Sequence, residues 1–482
     1  MISAIDNSSE LDGTRRRNLF DRLVKYIIDP RRVSHKYLLQ ILLCLFLSGP
    51  TFFDNFFNAC ATDIMQRLEI SHEKFSLLIS IPSITGVLCG AVAGMVTTYG
   101  STLTAVSTAV VSFVGAIVMA YGIEGSSYSM VLVGRVVFVL CWNLLGSVQK
   151  VIIFRQFTGP ALAWIFAMKI LAIRVGAVSG LYFAGPILSQ MQGSLPDAIY
   201  YALVLSGISL VCTLAFGYLY RGSSAARLIR PTMIGRRRDR PNDPSHVSGF
   251  SLAIPRDTWI CCLIIFLYYG GLTPFETFGV DYLVTEYGMS RTDAGQALAL
   301  IPFFSFFSPV ISSLVSSVKR QIIGVVLAQV IVATSIVLEM VQFEYAPHVY
   351  LCSMGIGHMI VANALWLALA SVTPTEAQKT NAASVSSAIY AVSTFAFNWM
   401  TGRVRDATGG YESAFAGLAF LVLLGASTGV YLLEWGRWKN TVANSQAHRV
   451  LLDTTDLNDV HVTTGNNPGL IVEDHFVPTG NH

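Results

Sequence analysis

Apolar runs of about 20 residues alternate with short polar interruptions from residue 37 to residue 435. A helix needs roughly 20 mostly apolar residues, rising about 1.5 Å each, to cross a bilayer. The pattern predicts twelve such spans, over 37–61, 75–98, 101–122, 128–153, 161–188, 198–220, 257–284, 292–317, 321–343, 347–372, 380–402 and 411–435. Six lie on each side of the longest polar interruption. The chain therefore reads as a basic N-terminal segment 1–36, a six-helix bundle 37–220, a basic central loop 221–256, a second six-helix bundle 257–435 and a tail 436–482. The tail is polar enough to predict disorder.

Composition supports the membrane reading. Hydrophobic residues make up 53% of the 482 and charged residues only 13%, against about a quarter charged in soluble domains. The distribution of charge orients the array. With a cytosolic N-terminus, 24 of the 32 Lys and Arg residues fall on the cytosolic side and five on the other, which predicts that both termini are cytosolic. The Arg runs at 15–17 and 236–238 serve that orientation, and nothing points to nucleic acid. The eight cysteines lie in apolar segments without metal-ligand spacing and read as small buried hydrophobes. The chain shows no phosphate-binding Gly-rich loop, no metal-binding His/Glu helix and no nucleophile elbow, so neither enzyme nor cofactor or metal chemistry is expected.

The two halves carry a faint internal repeat. "GRVVF" from Gly134 in the fourth span answers "GHMIV" from Gly357 in the tenth, and "AGMVTTYG" after the second span answers "SSLVSSVK" after the eighth. With its 6+6 array and basic central loop, the chain resembles the major facilitator superfamily throughout 37–435. The resemblance implies an all-α membrane protein with two pseudo-symmetric six-helix bundles. At the acid positions of that family's loop signature the chain has Thr97 or Thr98, and Ser316.

"FDNFFNA" (53–59), "GRVVFVLCWNLLGSVQ" (134–149), "AMKILAIRVGAV" (167–178), "PFETFGVDYLVTEYG" (274–288), "SPVISSLV" (308–315) and "ALWLALASVTP" (364–374) are similar to the lysosomal dipeptide-transporter branch of that superfamily. The branch is thought to hold a dipeptide between an arginine in the fifth span and an acid in the fourth. Arg174 falls on the arginine position; Asn143 stands where the acid would be, and Lys169 where an uncharged polar residue would be. The resemblance also implies a lysosomal or other acidic endomembrane and a glycosylated single-span accessory protein. Neither tail carries an Asp/Glu-x-x-x-Leu-Leu sorting signal, which leaves the plasma membrane as the other location.

Charges inside spans cost about 2.5–3.5 kcal/mol each by insertion scales and so need a use or a partner. Arg174 lies near the midplane. It points away from the small-residue ladder Ala172, Gly176 and Gly180, toward the central cavity, where its planar guanidinium suits a carboxylate. Lys169 lies on the ladder side and close enough to the cytosolic end for its stem to snorkel; a gating role is the other reading. Arg135 serves either structural pairing or coupling, and Asn143 either substrate contact or helix–helix bonding. Asp54 is open to three readings: a protonation site, a counter-ion for Arg174 or Arg135, or a capping group where Pro50 disturbs the helix. Glu276 follows Gly270, Gly271 and Pro274, where a helix break is expected to expose backbone to the cavity. Asp281 and Glu339 lie near span ends, within reach of water. His358 is either a titrating group or a satisfied hydrogen-bonder, and Tyr268, Tyr269, Trp366 and Tyr390 lie at pocket depth.

These residues point to a secondary-active or facilitative transporter working by alternating access on small carboxylate-bearing solutes. Dipeptides and amino acids come first; organic anions such as monocarboxylates, or a non-transporting scaffold or receptor that kept the fold, are the alternatives. Arg174 is the expected carboxylate ligand, and Asp54 or Glu276 the ammonium ligand in place of the acid that Asn143 replaces.

Overall fold

A computed structural model describes residues 33–87, 101–156, 160–222, 254–307, 318–341, 347–373 and 376–460. The Arg runs at 15–17 and 236–238, most of the central loop, and the paired loop motifs after the second and eighth spans (except 318–319) lie outside these residues. By packing, the chain divides into Met1–Val430 and Tyr431–His482. The second unit continues the last helix to Val460.

The described residues form helices and no strand. In chain order these are α1 (Val33–Cys44), α2 (Ser48–Ala59), α3 (Ala61–Leu68), α4 (His72–Ser83), α5 (Ser101–Glu124), α6 (Tyr128–Gln156), α7 (Pro160–Gln190) and α8 (Leu195–Gly222). The second half holds α9 (Arg256–Glu286), α10 (Arg291–Leu298), α11 (Leu300–Phe304), α12 (Val318–Met340), α13 (His348–Val372), α14 (Glu376–Thr408) and α15 (Glu412–Val460). Among the described residues, nine helical segments are long and apolar enough to cross a membrane, α1 and α2 together forming one of them. The other three predicted spans fall on α4, on α10 with α11, and on the more polar α14.

The first span is two helices, α1 and α2, and Pro50 supplies a cause. A proline has no N–H to offer the carbonyl four residues back and crowds it. The rung before it is replaced rather than lost. The Gly49 amide donates to Ser209 Oγ on α8 at 2.7 Å, and that hydroxyl donates to the Leu45 carbonyl at 2.7 Å. One side chain is thus inserted into an i→i−4 ladder, a recognised source of kinks. Gln149 on α6 donates to the Leu43 carbonyl, near the end of α1, at 2.6 Å.

The glycine positions of the predicted ladder pack α7 against α2. A Cβ on Gly176 would collide with the Ser48 carbonyl, and one on Gly180 with the Phe52 carbonyl and the backbone of Phe56. Small residues that admit this approach are the usual basis of helix association in lipid.

α9 does not break where the sequence suggested. It runs unbroken from Arg256 to Glu286 through Gly270, Gly271 and Pro274. Thr273 Oγ1 donates to the Tyr269 carbonyl at 2.7 Å and Thr277 Oγ1 to the Thr273 carbonyl at 2.9 Å, bridging the turns on either side of the proline. The two glycines serve close packing instead. Gly270 faces Phe397 and Ser393 on α14, and Gly271 faces the Leu418 carbonyl and Val422 on α15.

Overpacking a tight contact costs about 1–3 kcal/mol. Gly180→Val is therefore expected to lower the thermal unfolding midpoint of the detergent-purified protein by several degrees. Gly417→Ala, at a position with nothing within 4 Å of the added Cβ, leaves it unchanged; equal midpoints for both variants would refute the seam.

Candidate functional site

Two groups of interior charges behave differently. In the first, Arg135 on α6 donates from one terminal nitrogen to Asp54 Oδ1 on α2 at 3.0 Å and to Asn58 Oδ1 at 3.4 Å. Its guanidinium carbon lies 4.6 Å from the centre of the Phe57 ring. The side chains are 3% and 16% exposed. Of the three sequence readings of Asp54, the geometry is that of the counter-ion to Arg135.

The second group has no such closure. Arg174 on α7, Asn143 on α6 and Glu276 on α9 are all half-buried. Among the described residues none of their side chains has a hydrogen-bond or ion-pair partner. Yet Arg174 acts electrostatically on Glu276, Tyr268, Tyr269, His358 and Tyr390, all from the second half. The Asn143 amide borders Gly86, just beyond α4, where an added Cβ would stand 4.0 Å from Nδ2 and 3.3 Å from Ala391 of α14. The unpartnered groups thus come from both halves of the array.

An aromatic wall stands beside them. Tyr269 packs edge-on to Tyr390, with ring centres 4.9 Å apart, and accepts a hydrogen bond from Trp366 Nε1 at 3.3 Å. Tyr268 is fully buried, and its hydroxyl lies 3.0 Å from His358 Nδ1. His358 is buried against the tyrosine ring rather than open to solvent. Tyr390 is exposed and Trp366 half-buried, so these two can meet a ligand.

Lys169 departs from the snorkelling geometry. It is 4% exposed and lies within electrostatic reach of Lys150 on α6 and Cys44 on α1. The ladder that seats α7 against the first span carries this face inward, so burial follows from the same helix contact. Asp281 and Glu339 also differ from expectation, at 2% and 0% exposed. Neither carboxylate oxygen of Glu339 has a partner among the described residues, whereas Asp281 sits in a dense network.

Sequence reasoning missed that network. His72, at the start of α4, lies with Nδ1 2.9 Å from Asp406 Oδ1 and Nε2 3.3 Å from Asp281 Oδ2. Asp281 also accepts from Thr62 Oγ1 at 2.8 Å and from the Tyr411 hydroxyl. His72 and Asp406 lie beyond span ends in polar stretches, where single residues carry no periodic signal.

A family model described as Major Facilitator Superfamily matches residues 41–397. The lysosomal dipeptide transporter MFSD1 of Homo sapiens is 25% identical over 360 residues, which is 72% of this chain and 75% of that one. The protein of the same name from Danio rerio is 22% identical over 393 residues, 78% and 82% of the two chains. That from Gallus gallus is 22% identical over 365 residues, 73% and 75%.

Removing one partner of a buried ion pair typically costs about 3–5 kcal/mol, because the other charge is left stranded. Asp54→Asn is therefore expected to destabilise strongly, and adding Arg135→Gln to recover much of the loss. A double-mutant cycle on thermal unfolding measures this; strictly additive losses would show that the two groups do not interact.

Proposed function

The chain belongs to the major facilitator superfamily, and on that premise we propose that it carries dipeptides or amino acids by alternating access between its two halves. The family makes it a multi-pass membrane transporter of small molecules; the substrate class comes from the site. One observation carries the reading. A cation and a carboxylate, Arg174 and Glu276, stand half-buried on opposite halves, each without a hydrogen-bond or ion-pair partner among the described residues. Interior charges are expensive unless they meet each other or a ligand.

In this reading Arg174 grips the substrate carboxylate through two donors at once. Glu276 receives the ammonium group, taking the role left open by Asn143, whose amide offers both a donor and an acceptor to the peptide unit. Tyr390 and Trp366 line the side-chain space. Asp54 is committed to Arg135 and serves to hold α2 against α6. A solute bearing opposite charges at its two ends neutralises both halves of the site and favours their closure around it, which is a differential affinity for the closed state.

In this reading both termini are cytosolic, which the excess of basic residues on that side supports. The faces formed by the loops after the first, third, fifth, seventh, ninth and eleventh spans are then luminal. The names of the relatives support a lysosomal location. The one Asn-x-Ser/Thr sequon is Asn7, on the cytosolic side in this orientation. A glycosylated single-span accessory protein would shield luminal loops that carry no sequon of their own.

Hydrogen bonds to charged groups contribute about 1.5–3 kcal/mol. Glu276→Gln is expected to reduce dipeptide uptake into proteoliposomes by ten-fold or more, while a monocarboxylate of similar size is poorly carried by either protein. Arg174→Ala is expected to abolish uptake of dipeptides, amino acids and monocarboxylates alike. Unchanged dipeptide uptake by Arg174→Ala would remove the arginine from the site, and wild-type preference for monocarboxylates would overturn the substrate class.

A further inference from the structure

The two halves meet at one end of the array, and one cluster of the described contacts there centres on a single histidine. α14 reaches α4 closely because residue 402 is glycine, where a Cβ would stand 2.5 Å from the His72 carbonyl. Asp406 of α14 then caps a helix that belongs to the other half. It accepts from the His72 amide at 3.1 Å and the Glu73 amide at 2.7 Å. A carboxylate at a helix N-terminus satisfies orphan amides and complements the helix dipole. Nearby, Trp399 Nε1 donates to Glu73 Oε1 at 3.2 Å, and Arg291 at the start of α10 pairs with Asp63 of α3.

The His72 ring lies between two carboxylates of the second half, Asp281 on α9 and Asp406 on α14. A neutral imidazole has one N–H and can donate to only one of them; a protonated one donates to both. The other groups facing it are Arg405 of α14, which opposes its charge, and the Tyr411 ring, edge-on with centres 6.2 Å apart. Arg405 is itself drawn over the Tyr411 ring, 4.9 Å from its centre. On its own helix, the neighbouring Glu73 carboxylate is engaged with Trp399. From α3, Thr62 donates to Asp281.

We propose that His72, held between Asp281 and Asp406, is a proton-operated latch that seals the luminal end of the two halves when the lumen is acidic. The sealing rests on the geometry alone; only the word luminal rests on the orientation given under the proposed function.

Two observations outside the spans support the sign. The hydrogen bond to Asp281 is the largest influence on His72 and raises its pKa, overriding burial. Asp406 is held below the usual carboxylate range: burial opposes this, but the Glu73 amide, Ser71 and His72 outweigh it. A histidine whose pKa is raised in the sealed state binds its proton more tightly there than an imidazole of ordinary pKa, about 6.5, does. The added stability of the seal is therefore complete below that ordinary value and lost as pH rises through the sealed-state value. Acid closes this end, and neutral pH releases it.

Gln66 on α3 and Ala407 on α14 are both exposed at this end, on opposite halves. Spin labels on Gln66→Cys and Ala407→Cys, in a background lacking the eight native cysteines, report the separation by pulsed electron-spin spectroscopy on the full chain in lipid nanodiscs. The expected result is a several-fold rise in the short-distance population between pH 7.5 and pH 5. That rise should be absent in His72→Gln, which stays largely open, and in His72→Arg, which stays closed at both values. Should one variant fail to fold, the other still decides. A wild type whose distances do not change with pH, or a His72 variant that keeps the change, overturns the proposal. Because the readout needs no substrate, it fails or succeeds independently of the uptake measurements.

Discussion

A charge inside the bilayer has two stable fates, and this protein shows both. Arg135 and Asp54 neutralise each other at 3.0 Å and join α6 to α2. Arg174 and Glu276 lie within each other's electrostatic reach without forming an ion pair. The difference decides which part of the interior is scaffold and which part is left chemically unfinished. In the proposed reading a substrate with opposite charges completes what the fold leaves open, and the cost of leaving it open makes the site selective for charge.

The scaffold is arranged so that this incompleteness is held in place. Gly176 and Gly180 seat α7 against α2, which turns the other face of the same helix, with Arg174, away from the contact. Gly270 and Gly271 do the equivalent for α9 against α14 and α15, and so position Glu276. Both charged residues are presented from helices that pack through glycine, with little freedom to swing away. The aromatic wall of Tyr269, Tyr390 and Trp366 is fixed by ring contacts and one indole hydrogen bond. The wall and the two charges are thus all held on packed helices, with the charges kept apart.

Much of this was legible in the sequence, and the limits have physical causes. Long apolar runs separated by polar loops dictate spanning helices because backbone polar groups in lipid must be satisfied internally. Arg174 stood out because a lone charge in hydrocarbon is rare, and its direction followed from the helical offset to Gly176. Lys169 misled because the same offset places it toward a neighbouring helix, and depth alone cannot tell a protein interior from an interface. Pro274 and its glycines suggested a break, but threonine hydroxyls bridge the turns around it and the glycines are contact points. The His72 cluster escaped notice because His72 and Asp406 are 334 residues apart, and only the meeting of the two halves brings them together.

The first span has a mechanical consequence. Its two segments share no unbroken ladder across residues 45–47; the rung between Gly49 and Leu45 runs through the Ser209 hydroxyl on α8. α2 is thus registered on α8 and α7, while α1 is tied to α6 through Gln149. The span behaves as two rods sharing a pinned joint, so bending at one membrane leaflet need not be transmitted to the other. Asp54 and the ion pair it forms travel with the α2 rod. A change at the α1 end, where Lys169 lies near Cys44, can be absorbed at the joint by one serine hydroxyl changing partners.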